Sequence, residues 1–537
     1  MVESEETPYS SGGSDPVPGA ARSSLADVSI DELVRRPPQT PGSPLQVTRF
    51  PVDLETFYQL SEEAQQPQAP EAADEDQGME AATAVVVDPP EDGGAALPEA
   101  AAPAVTRSFD GIPQTAFRPP DNTIAVGPNH VLVAINTDLA GYTKFGSLQF
   151  RWPNMTTLFG PVLPSGASLF DPRVAYDHYD QRWIVIMDAR RANLAGSWIM
   201  VGVSRSSDPA GAYWVWALDA TLDGNTPTSN WADFSHLGFD TQGIYISNNM
   251  FAFNGGFRYS KLRILRKAEL YGGGSGANHA IRWFDFWDLR NPDNSLAFTM
   301  QPAVHFRGVG GNPAAYLVNS LFPSGNTLTL WTLNNPIAFW TGGSPSLTRT
   351  AVQCRDYDLP PDGIQPGTNV RIETNDTRLL NAVFQNAGGV QRLWTAHTTR
   401  HTWPGEPEAR STAQWYEIDI PSAAVVQQNR YGAPGSYYYF PAIQTDLARN
   451  AYLVFSRSSA SEFAQLRQTG RLVGDAPNTL QSSTLVKAGD SSYTGARWGD
   501  YFGIARDGGD SSTVWMYGEY AGPNNTYRTR VCAALFG

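Results

Sequence analysis

Short runs of apolar residues, separated by polar turns, fill the chain from about residue 106 to its end. Runs such as SWIMVGVS (residues 197–204) and TLTLWTLN (residues 327–334) have the length of strands and the β-branched and aromatic side chains that strands favour. The 3.6-residue periodicity of an amphipathic helix is nearly absent from this region. The pattern therefore predicts an all-β body and disfavours α/β folds.

The runs recur in a repeated phrase. Its closest copies, residues 231–240 (WADFSHLGFD) and 498–507 (WGDYFGIARD), share the pattern W-small-D-aromatic-x-x-aliphatic-small-x-D. Looser copies occupy residues 170–187 and 439–455, and weaker ones occupy residues 119–136, 301–319 and 375–397. The spacing from one copy to the next is about 50 to 80 residues. Seven copies at this spacing indicate a repeat protein.

Each copy is typical of a strand, a polar turn and a second strand, and the intervening sequence adds one or two more strands. This predicts a single β-propeller with seven four-stranded blades over residues 106–537. A tandem of β-sandwiches is the alternative, but a closed ring better explains why the first and last copies resemble the middle ones. The fourth copy, around Val304, lacks the Asp, so the predicted blade count is most open to failure there.

One turn resembles a known family. Residues 204–214 (SRSSDPAGAYW) resemble the Asp-box turn of sialidase-like propellers, S-x-D-x-G-x-x-W in outline, with one extra residue between Asp208 and Gly211. In an Asp-box the Asp holds turn amides and the aromatic residue packs between strands, so the resemblance implies a propeller fold and not an activity. The F/Y-R-I-P segment of that family is absent from this sequence.

Charge divides the chain near residue 105. Up to that point there are 20 acidic and 4 basic residues, against 33 and 34 in the remainder, so the net charge of −15 arises from the tail. Because the tail is rich in Ala, Pro, Gly and Glu and poor in aromatics, it cannot bury enough apolar surface to offset the entropy of ordering. We predict a disordered acidic tail over residues 1–105. Within it, residues 45–60 (LQVTRFPVDLETFYQL) either dock on the body as a strand or short helix or form a transiently ordered patch.

Composition also bears on partners and location. The body lacks a basic face for nucleic acid and any apolar run of the roughly 18 residues that a membrane span needs. The N-terminus lacks the features of a secretory signal, while the composition favours an extracellular or cell-surface location and leaves a cytoplasmic one open. Cys354 and Cys532 fall in the fourth and seventh copies, which are not neighbours in a seven-bladed ring, so two free, mostly buried thiols are expected.

The candidate site lies at one mouth of the predicted channel. In a propeller the first strand of each blade lines the channel, and the loop before it opens on the face where ligands usually bind. Five copies place an Asp three or four positions before the aliphatic residue of that strand, namely Asp121, Asp171, Asp233, Asp376 and Asp500. Four basic side chains lie close to them in sequence: Arg173, His236, Arg378 and Arg497. We therefore expect an acidic mouth whose basic groups could hold a carboxylate, a phosphate or a sugar substituent.

Three interpretations of these acids stay open. Each Asp could accept hydrogen bonds from backbone amides and tie its blade to the next. Together they could bind a glycan or a cation such as Ca²⁺, which favours several carboxylate oxygens. Two of them could serve a glycoside hydrolase as acid and as base or nucleophile, which requires a separation of roughly 5 to 10 Å. The acids that follow the first strand are expected to cap turns instead: Asp177, Asp240, Asp446 and Asp507.

The remaining candidates are aromatic residues and histidines. Trp403, with Trp340 and residues 437–439 (YYY), lies in loop-like sequence and could stack on a sugar ring. His397 and His401 are spaced for a metal site on a helix, but the Thr-rich sequence between them favours a strand or loop. No G-x-S-x-G, P-loop, H-E-x-x-H or C-x-x-C motif occurs, so no cofactor is firmly implied.

The sequence favours a binding or interaction protein whose propeller recognises a glycan or another extracellular polymer at one channel mouth. One alternative is a glycoside hydrolase of sialidase-like shape that uses a carboxylate pair at this mouth. Another is a structural component of a larger assembly, in which the acidic tail tethers the propeller or keeps it soluble.

Overall fold

Antiparallel strands that follow each other in chain order build the body of the protein. The computed structural model describes residues 9–22, 49–65, 102–191, 195–272, 279–306, 314–495 and 497–537. The β-branched and aromatic runs seen in the sequence form these strands, and the strands are arranged as a β-propeller. The prediction of an all-β propeller is therefore confirmed.

The elements that precede the first inner strand are β1 (Ser10–Gly13), β2 (Val17–Pro18), β3 (Ala20–Arg22), α1 (Leu54–Gln65) and β4 (Ala104–Asp110). The next two groups of elements are β5 (Thr123–Val126), β6 (His130–Ala134), β7 (Leu139–Thr143), β8 (Leu148–Trp152) and α2 (Thr156–Phe159), then β9 (Ala167–Asp177), β10 (Arg182–Arg191), β11 (Ser197–Ser204) and β12 (Tyr213–Asp219).

The middle of the chain begins with β13 (Leu222–Asp223), β14 (Thr226–Pro227), β15 (Asn230–Phe239), β16 (Gly243–Ala252), β17 (Phe257–Arg266), α3 (Lys267–Tyr271), β18 (Ala280–Ile281) and β19 (Trp283–Trp287). It continues with β20 (Gln301–Pro302), β21 (Val304–Phe306), β22 (Ala314–Ser320), β23 (Gly325–Asn334), a 3₁₀ helix (Ala338–Thr341) and β24 (Ser346–Tyr357).

The last elements are β25 (Asn381–Ala387), β26 (Val390–His401), β27 (Arg410–Asp419), β28 (Ala424–Tyr431), β29 (Ser436–Thr445), β30 (Ala451–Ser459), β31 (Gln465–Arg471), β32 (Thr484–Lys487), β33 (Gly503–Arg506), β34 (Val514–Gly522) and β35 (Thr526–Leu535).

The inner strands contact one another in a closed circle, in the order β5, β9, β15, β20, β25, β29, β33 and back to β5. The ring is closed by β4, which pairs antiparallel with the C-terminal strand β35 and places Phe109 opposite Val531. The N-terminal strand of the body thus completes the sheet begun by the C-terminal ones. This closure explains why the first and last sequence copies resemble the rest.

The predicted count of seven separate four-stranded blades is wrong. Five blades stand as separate sheets: β5–β8, β9–β12 with β3, β20 with β22–β24, β29–β32, and β33–β35 with β4. The remaining antiparallel groups, β15–β17 and β19 with β1, and β25–β28, are joined through β21 into one ten-stranded sheet. Strand β21 pairs in parallel with both, since Val304 lies opposite Phe239 and Val383.

The joining occurs at the fourth copy, one of the two copies that lack the mouth Asp. There the inner strand is reduced to Gln301 and Pro302, and Pro302 has no N–H to continue the ladder. After Pro302 the chain forms β21 between the neighbouring inner strands β15 and β25, before β22 returns to pair with β20. The predicted blade count therefore fails at the fourth copy, where the sequence pattern was weakest.

Large side chains fill the spaces between neighbouring sheets. Trp152 and Phe150 of β8 share a buried cluster with Trp183 and Met187 of β10, for example. The fully buried tryptophans are Trp152, Trp183, Trp216, Trp283, Trp331, Trp394, Trp403, Trp415, Trp498 and Trp515. The aromatic content that marked the body in sequence is thus used mainly for packing between blades.

The two cysteines are free thiols. Cys532 is buried and Cys354 is half-buried. Burial raises the pKa of each thiol to about 12, which keeps both protonated at neutral pH.

Two segments of the predicted tail lie on the body. Strands β1 and β3 pair with the outer strands β19 and β12, and β2 pairs with β18. Helix α1 begins after Asp53, which caps it by accepting a hydrogen bond from the Thr56 N–H at 2.8 Å. Residues 1–8, 23–48 and 66–101 of the tail lie outside the described residues, so the extent of disorder there stays a prediction. No helix in the described part of the chain is long and apolar enough to cross a membrane.

Candidate functional site

The chain bends within or shortly before six of the inner strands. One residue at each bend has a left-handed backbone, with φ between 50° and 65°: Asp121, Asp171, Phe234, Thr299, Asn375 and Phe440. Asn and Asp tolerate this conformation better than other residues with a β-carbon. In two groups the bent residue is Phe234 or Asn375, so Asp233 and Asp376 flank the bend instead of occupying it. The five acids are therefore not structurally equivalent, although the sequence copies align them.

Asp121 and Asp171 link neighbouring sheets through Asn136. The Asn136 side chain donates from Nδ2 to Asp121, and its Oδ1 accepts the backbone N–H of Asp171 at 2.8 Å. Asp121 Oδ1 also accepts the backbone N–H of Asp500 at 3.2 Å, and Asp171 Oδ2 accepts that of Phe234 at 3.1 Å. Both carboxylates thus perform the blade-tying role that was one of the three interpretations.

Asp376 and Asp500 are held by arginines. Arg378 binds Asp376 in a bidentate fashion, with Nε–Oδ1 at 2.8 Å and Nη2–Oδ2 at 2.7 Å, and both side chains are buried. Arg497 Nη2 lies 2.6 Å from Asp500 Oδ2. These arginines are therefore largely committed to acids of the same mouth, which leaves less of their charge for an anionic ligand.

Asp233 differs from the other four acids. Its residue is only 7% exposed, yet none of the described residues donates a hydrogen bond to its carboxylate. Burial raises the pKa of Asp233 well above its ordinary value, and the charges of Asp171 and Asp188 add to the effect. The carboxyl group therefore keeps hydrogen-bonding capacity that the fold does not use.

The pKa values of the mouth acids are shifted in opposite directions. Burial raises the pKa of Asp121 well above its ordinary value and raises that of Asp171 to about 6, and the charge of Asp500 strengthens both shifts. Burial acts on Asp500 in the same sense, but Arg497 and Arg49 outweigh it and hold its pKa below the ordinary value. An ionised carboxylate thus lies beside carboxyl groups that retain their protons more readily.

Arg173 lies at the centre of the mouth. Its guanidinium carbon is 3.2 Å from the centroid of the Tyr501 ring, and its Nε donates to the Ser235 carbonyl at 3.1 Å. Its Nη2 lies 2.8 Å from His236 Nδ1. Burial lowers the pKa of His236 well below its ordinary value, helped by the charge of Arg173, so the neutral ring accepts this hydrogen bond.

A cavity in the channel continues below this group of side chains. Its polar lining comes from Thr123, Arg173, His236, Gln301, Asn381 and Gln444, and the rest is mainly aliphatic, with Phe502. Two predicted site residues, Arg173 and His236, therefore face both the acidic mouth and the cavity below it.

Two further residues at the mouth were not predicted. Arg49 Nη2 forms an ion pair with Glu373 Oε1 at 3.0 Å, and its Nη1 lies 3.8 Å from Asp500 Oδ1. Arg49 belongs to the tail and Glu373 to no sequence copy, so the repeat pattern could not identify them. The only available signal was the position of Arg49 beside Phe50 in the aromatic segment of the tail.

Two other acids near the mouth are fully buried. Asp188 accepts hydrogen bonds from the N–H and the hydroxyl of Ser235, and burial raises its pKa to about 8. Glu519 accepts one from Asn122, and burial raises its pKa well above the ordinary value. Both are protonated far more readily than exposed acids.

Of the two possibilities for Trp403, stacking on a sugar or packing in the core, the structure has the side chain in the core, 1% exposed and edge-on against His401. Residues 437–439 are likewise buried. His397 and His401 lie on strand β26, where His397 bonds to the Thr377 carbonyl and the Tyr416 hydroxyl. Across the described ranges, no group of three or more His, Cys, Asp or Glu side chains is arranged to hold a metal ion.

No protein-family profile and no curated protein matches this sequence. Among solved structures the chain is similar to the sialidase of Trypanosoma rangeli in complex with the inhibitor DANA, with 10% identity and a TM-score of 0.35 over 80% of this chain and 60% of that one. It is also similar to a protein of unknown function from Dyadobacter fermentans, with 8% identity and a TM-score of 0.35 over 70% of this chain and 96% of that one.

A third similar structure is the GH93 alpha-L-arabinofuranosidase of Fusarium graminearum with arabinobiose, with 9% identity and a TM-score of 0.29 over 69% of this chain and 95% of that one. The chain spans about 60% of the length of the sialidase. At these identities and TM-scores, the likeness says nothing about the chemistry of the acidic mouth. The chain is a β-propeller whose structural neighbours include sialidase and arabinofuranosidase propellers.

Proposed function

We propose that this protein is a ligand-binding propeller that recognises a glycan or another extracellular polymer at the acidic channel mouth. The observation that carries the proposal is the Asp233 carboxyl group, which accepts no hydrogen bond from the described residues and is not fully enclosed, so a ligand at the mouth can reach it. A carboxyl oxygen that the fold leaves unused and that solvent can reach is free to accept a hydrogen bond from a ligand. A sugar hydroxyl supplies the donor that Asp233 lacks.

The charge balance supports a ligand rich in hydrogen-bond donors. Arg378 and Arg497 are neutralised by Asp376 and Asp500, so they add little attraction for an anion. The carboxyl group of Asp233 remains as an acceptor, with its pKa raised by burial. Hydroxyl groups therefore fit the mouth better than a carboxylate or phosphate does.

A glycan array tests this proposal. The wild type would be compared with Asp233→Asn, with Asp500→Asn and with Asp240→Asn, a control at the opposite end of the same inner strand. We expect Asp233→Asn and Asp500→Asn to lose the bound glycans and Asp240→Asn to keep them. Binding that is unchanged in both mouth variants would rule out the mouth as the glycan site.

The second candidate function is glycoside hydrolysis, favoured by the opposite pKa shifts of neighbouring acids. An ionised Asp500 beside Asp121 or Asp171 resembles the division of roles between the nucleophile or base and the acid of a glycosidase. Turnover of a panel of aryl glycosides would be lost in both Asp500→Asn and Asp171→Asn. If wild-type protein releases no product from any glycan that it binds on the array, this candidate falls and the binding proposal stands.

A further inference from the structure

A short segment of the acidic tail, described over residues 49–65, contacts the channel mouth through its first residues. Arg49 reaches in from this segment, and its guanidinium lies between Glu373 at 3.0 Å and Asp500 at 3.8 Å. Arg49 is one of only four basic residues up to residue 105. The tail therefore places one of its few positive charges where the body concentrates negative charge.

The mouth also binds the backbone of this segment. Arg378, fixed by its bidentate bond to Asp376, donates from Nη2 to the Arg49 carbonyl at 2.9 Å. The same guanidinium lies 5.6 Å from the centroid of the Phe50 ring. Side chain, carbonyl and aromatic neighbour of one dipeptide are thus contacted together, which is how a peptide-binding site reads a short motif.

Helix α1 holds the aromatic residue of the dipeptide, Phe50, in place. Phe50 is completely buried and stacks on Phe57 of the helix, with ring centroids 3.4 Å apart and planes 5° from parallel. Phe50 and Phe57 share a small buried cluster with Leu359 of the body. The cluster is separate from the packing between blades, so the segment adds to the propeller without being part of its core.

We propose that the channel mouth is a binding site for an arginine–aromatic peptide and that Arg49 and Phe50 of the same chain occupy it as a tethered ligand. Tethering keeps the local concentration of the segment far above that of a free competitor. The segment therefore competes with other ligands, which bind more weakly until it is displaced or removed. Only this blocking role rests on the proposed glycan function; the peptide site stands on the Arg49 and Phe50 contacts.

Emptying the site in the full-length chain tests the proposal. The variant Arg49→Glu/Phe50→Ala would be titrated against a fluorescein-labelled peptide of residues 45–65, with binding followed by fluorescence anisotropy. We expect saturable binding that is at least about tenfold tighter than that of the wild type, whose site is filled. Tyr58→Ala is the matched control, because Tyr58 lies on α1 but is 55% exposed, and it should behave as the wild type.

Two changes establish which contacts are recognised. Adding Asp500→Asn to the double variant removes one partner of Arg49, and a labelled peptide carrying Glu in place of Arg49 reverses its charge. Each should weaken binding about tenfold. If the folded double variant, verified by circular dichroism and its Tm, binds the peptide no better than the wild type, the tethered-ligand proposal is wrong. The single variant Phe50→Ala replaces the double variant if the latter does not fold, and it should also bind more tightly than the wild type.

Glycan binding separates the blocking role from the proposed function. A rise of about fivefold or more in glycan binding by the double variant supports blocking, whereas equal binding by both forms overturns blocking. If neither form binds any glycan while the double variant binds the peptide, the proposed glycan function is wrong and the peptide site stands.

Discussion

The inner strands carry aspartates near both of their ends, and the two sets make different contacts. At the far end, Asp177, Asp240, Asp446 and Asp507 each accept hydrogen bonds from backbone amides two to four residues further along the chain. Asp240, for example, accepts the N–H groups of Gln242 at 2.7 Å and Gly243 at 2.9 Å. The prediction that these residues cap turns is confirmed.

At the mouth, two of the acids accept hydrogen bonds from residues that are distant in sequence. Asp171 accepts the N–H of Phe234 and Asp121 accepts that of Asp500, so each acid holds one sheet to another. Other partners are arginines, and Asp233 has none among the residues described. The same residue type therefore closes a local turn at one end and forms a coupled group of charges at the other. Only the second arrangement can respond to a ligand as a unit.

The largest expected effect is the loss of stability when Arg378, the buried partner of Asp376, is removed. Arg378→Ala leaves Asp376 buried without its cation, and it also removes the guanidinium that lies 4.5 Å from the Phe234 ring. Breaking a buried ion pair on one side costs about 3 to 5 kcal/mol of the free energy of unfolding. Urea denaturation of the two forms measures the difference.

A double variant tests whether the unpaired charge of Asp376 causes the loss of stability in Arg378→Ala. Arg378→Met/Asp376→Asn removes both charges and should recover a large part of the lost stability. If Arg378→Ala is no less stable than the wild type, the mouth is not a coupled group of buried charges.

How far the sequence predicts this molecule depends on the kind of contact. The copy at residues 231–240 located β15 and its cap Asp240, because strand pattern and turn chemistry are local. The same copy aligns Asp233 with Asp121 and Asp171, but in the structure the left-handed residue of this strand is Phe234. A bulge between Asp233 and His236 adds one residue to the strand, and no local sequence pattern reveals it.

Long-range contacts were the least predictable. The Arg49 contact joins residues separated by 451 positions at Asp500, and no repeat relates them. Trp403 lies in loop-like sequence, yet its indole fills the space beside Gly432, where even a β-carbon would come within 2.8 Å of the ring. Burial of such a side chain depends on tertiary packing, which composition and spacing do not encode.

The second prediction concerns pH. The pKa of Asp188 is raised to about 8 and that of Asp171 to about 6, whereas an unfolded Asp titrates near a pKa of about 4. Between these values the folded protein binds protons that the unfolded chain has released, so the free energy of unfolding falls as pH rises from about 4 to about 8. Each such group contributes at most about 1.4 kcal/mol per pH unit.

The variant Asp188→Asn isolates this effect, since it keeps the shape of the side chain and cannot ionise. Its stability, followed by thermal melting from pH 4 to pH 9, should depend less on pH than that of the wild type and should exceed it at the alkaline end. Parallel curves for the two proteins would contradict the raised pKa of Asp188.

The smallest effect is expected at the opposite end of the strands. Asp240→Ala removes the acceptor for two turn amides and should cost about 1 to 2 kcal/mol, in the range of a lost cap. Ligand binding should not change, because the turn lies at the other end of β15 from Asp233. A large loss of binding in a folded Asp240→Ala protein would remove the distinction between the two ends.

The most direct test of the mouth as the ligand site is calorimetric titration of one glycan, selected on the array, into Asp233→Asn and Asp240→Asn. Both variants replace a carboxylate by an amide of the same shape on the same inner strand, so they differ only in the end that is changed. We predict that Asp233→Asn weakens the Kd at least about tenfold, or about 1.4 kcal/mol, while Asp240→Asn stays within about twofold of the wild type. Equal affinities in the two variants would contradict the assignment of ligand binding to the acidic mouth.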